Sequence, residues 1–96
     1  MRVVRYQTKL DKADDNQRFV EAVFGELHAK SPEGLRYLSL RLDDGSFIHV
    51  VDTDDSGKLT DLPAFGSFQK ELGDRCLQKP LTCGATIVGN YRMIGD

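Results

Sequence analysis

His49 is the residue of this sequence best suited to acid–base chemistry. It lies within the apolar run Phe47–Val51, where a side chain is expected to be shielded from water. A neutral imidazole near pH 7 can take a proton from a weakly acidic ligand, so His49 is a candidate catalytic base. The alternative is a histidine that only makes hydrogen bonds, in the core or at an interface between subunits.

Two polar residues of the first predicted strand are candidate ligand-binding groups. Arg5 and Gln7 are two positions apart, so a strand places both side chains on one face. Buried there, they could bind an anionic or carbonyl oxygen and stabilise developing negative charge. Their alternative role is in hydrogen bonds at the rim of a sheet or between subunits.

Three phenylalanines are candidate ligand contacts in an aromatic pocket. Phe24 belongs to the apolar stripe of the first predicted helix, and Phe65 and Phe68 belong to that of the second. Aromatic residues at helical spacing are more often part of the core. Both roles stay open for them at this point.

Other kinds of site are poorly supported. Residues 52–59 resemble the start of a calcium-binding loop, but Pro63 occupies the position that requires a bidentate glutamate. Ser39 has no evident partners for a nucleophilic triad, and the chain has no glycine-rich phosphate loop. Cys76 and Cys83 are expected to be free thiols in a reducing compartment. We therefore expect neither a metal nor a cofactor.

Length and charge exclude several classes of protein. The chain has 96 residues, 40% of them hydrophobic, which fits one domain over residues 1–96. Its net charge is −2 and its basic residues are scattered, so we do not expect nucleic-acid binding, which needs several cations on one face. No apolar run has the length of a signal peptide or a membrane span, so we expect no membrane partner and a cytoplasmic location.

The apolar pattern of the first half predicts two strands around a helix. The strands are residues 3–8 and 35–42, and the helix begins after Asp11 as its N-cap and ends near Lys30. The second half predicts strands at residues 46–52 and 82–93, with a polar loop over 54–60 and a second helix from Asp61. The apolar stripe of that helix consists of Phe65, Phe68, Leu72 and Cys76.

Two details of the last segment follow from residue types that disturb strands. Pro80 is expected to break the path from the second helix to the last strand, and Gly84 and Gly89 are candidate bulges. The resulting order is β-α-β-β-α-β. Right-handed crossovers then predict an α+β, ferredoxin-like fold, with a four-stranded antiparallel sheet and two helices on one face.

The hairpin between the second and third strands decides which face carries His49. A three-residue loop, Asp43-Asp44-Gly45, places Leu42 opposite Ser46. His49 then shares a face with Tyr37 and Ser39, while a two-residue turn would move it to the face of the leucines. We favour the three-residue loop, because it separates the polar groups from the leucines.

The third strand also predicts a second copy of the chain. Phe47 and Val51 place apolar groups on one face of this central strand, and Ile48 and Val50 place them on the other. Two helices cover only one face, and monomers rarely leave a large apolar patch exposed. A homodimer packed sheet to sheet across a two-fold axis would cover the open face.

The spacing of three segments resembles that of the antibiotic biosynthesis monooxygenase-like family. These segments are 32–37, 47–51 and 62–68, and the resemblance covers roughly residues 2 to 93. It implies a dimeric α+β barrel with a small pocket in each subunit, between sheet and helices. Some members of the family oxygenate polycyclic phenols without metal or flavin, and others degrade haem.

The resemblance leaves two functions open. The haem degraders use an Asn on strand one, a Trp, and a His on helix two, whereas this chain offers Gln7, has no Trp, and has no His in its second helix. The first hypothesis is therefore a cofactor-independent monooxygenase of a small aromatic or quinone-like molecule, with His49 as the base. The second is a non-catalytic dimer that binds a small molecule or serves as an accessory subunit.

Overall fold

A computed structural model of the protein describes residues 1–55 and 57–95. Four strands in these residues form an antiparallel sheet with the order β2-β3-β1-β4. The strands are β1 (Arg2–Thr8), β2 (Leu35–Arg41), β3 (Ser46–Thr53) and β4 (Cys76–Gly84). The predicted ferredoxin-like α+β fold is confirmed, and β3 is central as expected.

The helices cover one face of this sheet. They are α1 (Ala13–Lys30), α2 (Gly57–Thr60), α3 (Pro63–Gln69) and α4 (Leu72–Arg75). The core lies between them and the sheet, where Val20 and Val23 of α1 meet Phe68 of α3 and Tyr6 of β1. This packing follows from the apolar stripes of α1 and α3, because each helix can bury only one side against the sheet.

The predicted N-cap of the first helix is wrong, although the helix itself is confirmed. Asp11 lies in a short 3-10 turn, Leu10–Lys12, and α1 begins at Ala13 without a side-chain cap. Asp14 and Asp15 in its first turn still complement the positive end of the helix dipole.

The predicted second helix is wrong in its extent. The polar loop contains the single turn α2, and the helix that follows is divided into α3 and α4 by Glu71, whose backbone is left-handed (φ 62°). Cys76, which we placed on the helix stripe, is the first residue of β4. A stripe with gaps of three and four residues fits one helix or two short ones equally well.

The predicted hairpin is confirmed in its register. Gly45 has a positive φ of 85°, and the Leu42 amide donates to the carbonyl of Ser46 at 2.8 Å. Glycine is suited to that position because it lacks the Cβ that disfavours a positive φ. His49 therefore pairs with Ser39 across β2 and β3, on the face away from Leu38 and Leu40.

The last strand begins six residues earlier than predicted and ends at Gly84. Gly84 pairs with Arg2, the first residue of β1, so residues beyond it have no further partner on that strand. Pro80 lies inside β4 and does not break it, since an edge strand tolerates a missing amide donor. The irregularities of pairing occur beside Pro80, opposite Arg5–Thr8, and not at Gly84 or Gly89.

The face of the sheet away from the helices is rich in exposed apolar side chains. Leu38 and Leu40 are each 47% exposed and Leu81 is 74% exposed, with Ile48 and Val50 partly buried between them. We call this set the open face. Met93 and Ile94 border its Val50 end, so the end of the chain covers only part of it.

Candidate functional site

The candidate site is centred on His49, which lies on the helix-covered face of β3. Its side chain is 3% exposed. Tyr6 stacks on the imidazole, with ring centroids 5.4 Å apart, and Phe68 of α3 packs at 5.5 Å. The alternation of β3 forces this placement, because Phe47 and Val51 on the same face enter the core.

Both ring nitrogens of His49 have hydrogen-bond partners. The Tyr6 hydroxyl lies 2.8 Å from Nε2. The hydroxyls of Tyr37 and Ser39, both on β2, each lie 3.0 Å from Nδ1. The edge strand therefore contributes two hydroxyls to one side of the imidazole, and the central strand β1 contributes one to the other side.

The network continues from Tyr6 into the helices. Nδ2 of Asn16 donates to the Tyr6 hydroxyl at 2.8 Å, and Nε of Arg75 donates to Oδ1 of Asn16 at 3.1 Å. Arg75 also donates to the carbonyl oxygens of Phe68 and Lys70 at the end of α3, at 2.6 and 3.2 Å. We call the path Arg75–Asn16–Tyr6–His49 the buried chain; all four side chains are buried.

Burial sets the charge state of these groups. It lowers the pKa of His49 to about 4, so the imidazole is neutral at pH 7. It raises the pKa of Tyr37 to about 12, and it raises the pKa of Tyr6 still further above its ordinary value, against the opposing effect of the Asn16 hydrogen bond. Both tyrosines therefore keep their protons at neutral pH.

The two partners of His49 on β2 reach the surface in adjoining clefts between α1 and β2. Ser39 lines the first, of about 570 Å³, which we call the Ser39 cleft. Tyr37 lines the second, of about 380 Å³, which we call the Tyr37 cleft. Phe24 and His28 of α1 border both, and these volumes lie within the range of small-molecule sites.

The three predicted phenylalanines have different surroundings. Phe24 packs edge-on against Tyr37, with centroids 5.0 Å apart, and lines both clefts. Phe68 contacts the imidazole from the core, and Phe65 packs behind Phe68 at 6.0 Å. Of these residues, Phe24 is the one placed to touch a ligand in the Ser39 or Tyr37 cleft.

One further cation lies at the Ser39 cleft. Arg41 lines it and is held on α1 by Asp14 at 2.9 Å and Gln17 at 2.7 Å. Glu21 of α1 borders the same cleft and is the opposing charge there. The mouth of the cleft therefore combines a guanidinium that is ion-paired with Asp14 and the exposed carboxylate of Glu21.

The structure does not bring Arg5 and Gln7 together with His49. Arg5 pairs with Ile48 and Gln7 with Ser46, so both side chains point to the open face. Arg5 is exposed, and Gln7 donates to the backbone carbonyl of Asp44 at 3.0 Å. Within one chain they cannot act on a ligand that reaches His49 through the clefts.

Sequence reasoning missed Tyr6, Asn16 and Arg75 as members of the site. One signal was available for Asn16, because it falls four residues before Val20 on the buried side of α1, where an amide needs a partner. Arg75 is 59 residues away along the chain, and no local pattern links the two. Tyr6 lies on the opposite face of β1 from Arg5 and Gln7, the two predicted ligand-binding residues.

Solved structures share this fold over nearly the whole chain. A protein of Bacteroides thetaiotaomicron, named as a candidate antibiotic biosynthesis monooxygenase, aligns with a TM-score of 0.76 at 10% identity, over 98% of this chain and 93% of that one. Rv0793 of Mycobacterium tuberculosis aligns with a TM-score of 0.71 at 12% identity, over 93% and 94% of the two chains. A third structure, named antibiotic biosynthesis monooxygenase, aligns at 0.70 and 13%, over 92% and 97%.

The predicted resemblance is therefore confirmed for the fold. The chain has the fold of the antibiotic biosynthesis monooxygenase-like proteins, and at this level of identity the likeness concerns the fold alone. No protein-family model and no curated protein matches the sequence. In the described part of the chain, no helix combines the length and apolarity needed to cross a membrane, and no three metal-ligating side chains cluster.

Proposed function

We propose that the protein is a homodimeric, cofactor-independent monooxygenase of a small phenolic or quinone-like aromatic molecule. The observation that carries this proposal is the pair of hydroxyls, of Ser39 and Tyr37, that join the buried His49 to two open clefts. The likeness in fold to proteins named antibiotic biosynthesis monooxygenase supports the reaction class. A cytoplasmic location belongs to the same proposal, supported by two free cysteines, one of them exposed.

The reaction needs no added reductant when the substrate itself supplies the electrons. A phenol and one O₂ give a quinone and one water, so one oxygen atom enters the ring and the other leaves as water. The chain's task is then to hold the substrate oxygen and polarise it. Ser39 and Tyr37 would contact that oxygen, His49 would polarise their hydroxyls, and Phe24 would pack against the aromatic ring.

The homodimer in this proposal uses the open face. Leu38, Leu40 and Leu81 leave large apolar surfaces there, next to the partly buried Ile48 and Val50 of the central strand. A second copy related by a two-fold axis would bury the same set twice. In such a pair Arg5 and Gln7 would lie at the interface, which agrees with the alternative role that the sequence left open for them.

A second candidate function is a non-catalytic dimer that binds a small molecule or serves as an accessory subunit. The observation in its favour is that His49 already has partners at both nitrogens and a pKa of about 4. These are the properties of a histidine that stabilises a core. Such a protein would bind the aromatic molecule in the clefts and release it unchanged.

Oxidation of 1-naphthol to 1,4-naphthoquinone distinguishes the two functions. The enzyme should consume O₂ and form quinone in equal amounts, and Ser39→Ala and Tyr37→Phe should each slow the reaction at least tenfold. Ser67→Ala and Tyr91→Phe are matched controls on exposed residues outside the clefts and should leave the rate unchanged. Binding of 1-naphthol without O₂ uptake would favour the non-catalytic function, and the absence of binding would contradict both.

The dimer is tested separately by sedimentation velocity. Ile48→Lys places a charge at the centre of the open face and should convert the dimer to a monomer. Leu10→Lys changes an exposed leucine in the 3-10 turn and should leave the dimer intact. The protein is measured at about 100 µM, where even a weak specific dimer would form. A wild-type chain that sediments as a monomer at this concentration would overturn this part of the proposal.

A further inference from the structure

The hydrogen bonds of the buried chain run in one direction, because the guanidinium of Arg75 at one end can only donate. We infer that Arg75 and Asn16 are positioning residues that hold the ring proton of His49 on Nδ1. The Ser39 and Tyr37 hydroxyls then donate into the clefts and select a ligand oxygen that accepts, a carbonyl or a phenolate. The ligand part of this inference rests on the proposed function, whereas the position of the proton does not.

Arg75 fixes the orientation of the Asn16 amide. A guanidinium carries five N–H donors and no acceptor, so the atom of Asn16 that faces its Nε must be the oxygen. The other guanidinium nitrogens donate to the carbonyls of Phe68 and Lys70, and the group stacks on the ring of Phe19 at 4.4 Å. With three donors engaged, the guanidinium cannot turn to present another face.

The amide then determines what the Tyr6 hydroxyl does. With Oδ1 of Asn16 directed at Arg75, its NH₂ group faces the Tyr6 hydroxyl at 2.8 Å and donates to it. The phenolic oxygen is the acceptor in that bond, so its own proton is free to go to His49 Nε2, also at 2.8 Å. Tyr6 keeps this proton at neutral pH because burial raises its pKa.

The phenol determines which nitrogen of His49 carries the hydrogen. When Nε2 accepts, the neutral imidazole must carry its hydrogen on Nδ1, which faces Ser39 and Tyr37 at 3.0 Å each. The reverse arrangement would make the Tyr6 oxygen accept twice and would leave its proton without an acceptor among the described contacts. An unpaired hydroxyl proton is unfavourable in a side chain that is 2% exposed.

The chemistry offered to a ligand follows from this order. Because Ser39 and Tyr37 accept from Nδ1, their own hydroxyl protons can point into the clefts. A carbonyl or phenolate oxygen can accept them. Arg41 at the Ser39 cleft is paired with Asp14 and faces Glu21, so the two hydroxyl donors, and not a free cation, select the ligand oxygen. His49 is then not the proton acceptor that the sequence led us to expect, and it acts by polarising two hydroxyl donors.

The proton position is measured directly by ¹⁵N NMR of histidine-labelled protein at pH 7. His28→Gln removes the second histidine of the chain, so the remaining signals belong to His49. We expect a protonated Nδ1 and an unprotonated Nε2. A proton on Nε2 in the otherwise wild-type chain would overturn the inference without any substrate being involved.

Asn16→Asp tests the two positioning residues. Aspartate can accept from both Arg75 and Tyr6, so Tyr6 should turn its proton away from His49, and the His49 hydrogen should move to Nε2. Asn90→Asp is the matched control in the exposed C-terminal segment and should leave the spectrum unchanged. If the Asn16→Asp protein folds and His49 Nδ1 stays protonated, Asn16 does not determine which nitrogen of His49 carries the proton. Should this variant fail to fold, the wild-type spectrum still decides the inference.

The ligand part is tested with 1,4-naphthoquinone, which accepts hydrogen bonds and cannot donate them. Its Kd, from fluorescence or calorimetric titration, should rise at least tenfold in Asn16→Asp. An unchanged Kd would contradict the selection of an acceptor. If the quinone binds to neither protein while Nδ1 is protonated in the wild type, the proposed function fails and the positioning role stands.

Discussion

On the face that the helices cover, Tyr6, Asn16 and His49 are buried and joined by hydrogen bonds. On the opposite face, Leu40 and Leu81 are exposed. A sheet with one covered face usually has apolar residues inside and polar residues outside. In this protein, by contrast, polar groups are buried beneath the helices, and apolar groups are exposed on the face that has no helices.

The contrast shows that stability of a single chain explains neither face. A buried polar chain stabilises little compared with apolar packing and becomes costly once a partner is removed, so its value lies in the defined positions of its atoms. An exposed apolar surface stabilises a chain only when another surface covers it. The covered face therefore has the properties expected of the proposed site, and the open face has those expected of the proposed dimer interface.

Removing the donor end of the buried chain should have the largest effect. Arg75→Ala leaves the Asn16 oxygen and the carbonyls of Phe68 and Lys70 without a donor, and the free energy of unfolding should fall by about 3–5 kcal/mol. Urea denaturation followed by circular dichroism measures this. Arg18→Ala, which removes an exposed pair with Asp15, should cost about 0.5 kcal/mol or less. Equal losses of unfolding free energy in the two variants would show that Arg75 in the buried chain stabilises the fold no more than the exposed pair of Arg18 does.

Tyr6→Phe should come next. It leaves the Asn16 amide and His49 Nε2 without a partner, at a cost of about 2–3 kcal/mol. Tyr91→Phe makes the same chemical change on an exposed side chain and should alter the free energy by less than about 0.5 kcal/mol. A stability for Tyr6→Phe equal to that of wild type would mean that water or repacking satisfies both groups.

Acid should weaken the covered face before the carboxylates titrate. The pKa of His49 is about 4 in the folded protein and 6.5 as the ordinary value, so below pH 6.5 only the unfolded chain gains the proton. Its contribution to stability is complete above pH 6.5 and is lost as the pH falls toward 4, by about 2 kcal/mol between pH 6.5 and 5. Chemical denaturation at several pH values should give this slope for wild type and a flatter one for His49→Gln. Parallel slopes would assign the acid sensitivity to other groups.

The open face should show the smallest effect on an isolated chain. Leu81→Gln, measured in dilute protein as a monomer, should change the free energy of unfolding by less than about 0.5 kcal/mol, because the leucine is mostly exposed. At concentrations that favour association, the same variant should be less stable than wild type, since the buried area of the pair is reduced. A concentration-independent loss above 1 kcal/mol would mean that this side chain belongs to the core of one subunit.

The sequence was sufficient for the fold wherever a local signal and a long-range requirement agreed. Gly45 and the alternation of β2 and β3 both pointed to the three-residue loop, and the register followed. The end of the chain could not be assigned in the same way. The β-rich residues after Gly84 have strand propensity, but β1 offers them no partner, and propensity does not report the length of the neighbouring strand.

Part of the site was predictable: the sequence singled out His49, Phe24 and Phe68, and the predicted hairpin placed Tyr37 and Ser39 on the face of His49. The face of His49 followed from the hairpin, while its direct partners come from three separate elements, β1, β2 and α3. Arg5 and Gln7 are polar and share a face, which favours a role in binding, but that face can be identified only once β1 is paired with β3. The role of Arg75 could not be predicted from the sequence. Its guanidinium donates to the Phe68 carbonyl in α3 and to the Asn16 side chain in α1, and no pattern within its own segment indicates either contact.

Pro80 and the irregular pairing around it have a consequence for aggregation. An edge strand with regular amides is a template on which further strands can add without limit, whereas Pro80 offers no amide and Lys79 beside it carries a charge. We therefore expect growth of a continuous sheet from this edge to be disfavoured. The proposed association through the open face would end at two copies, because each copy has one such face. The β4 edge would thus oppose fibril growth while the open face remains available for the proposed dimer.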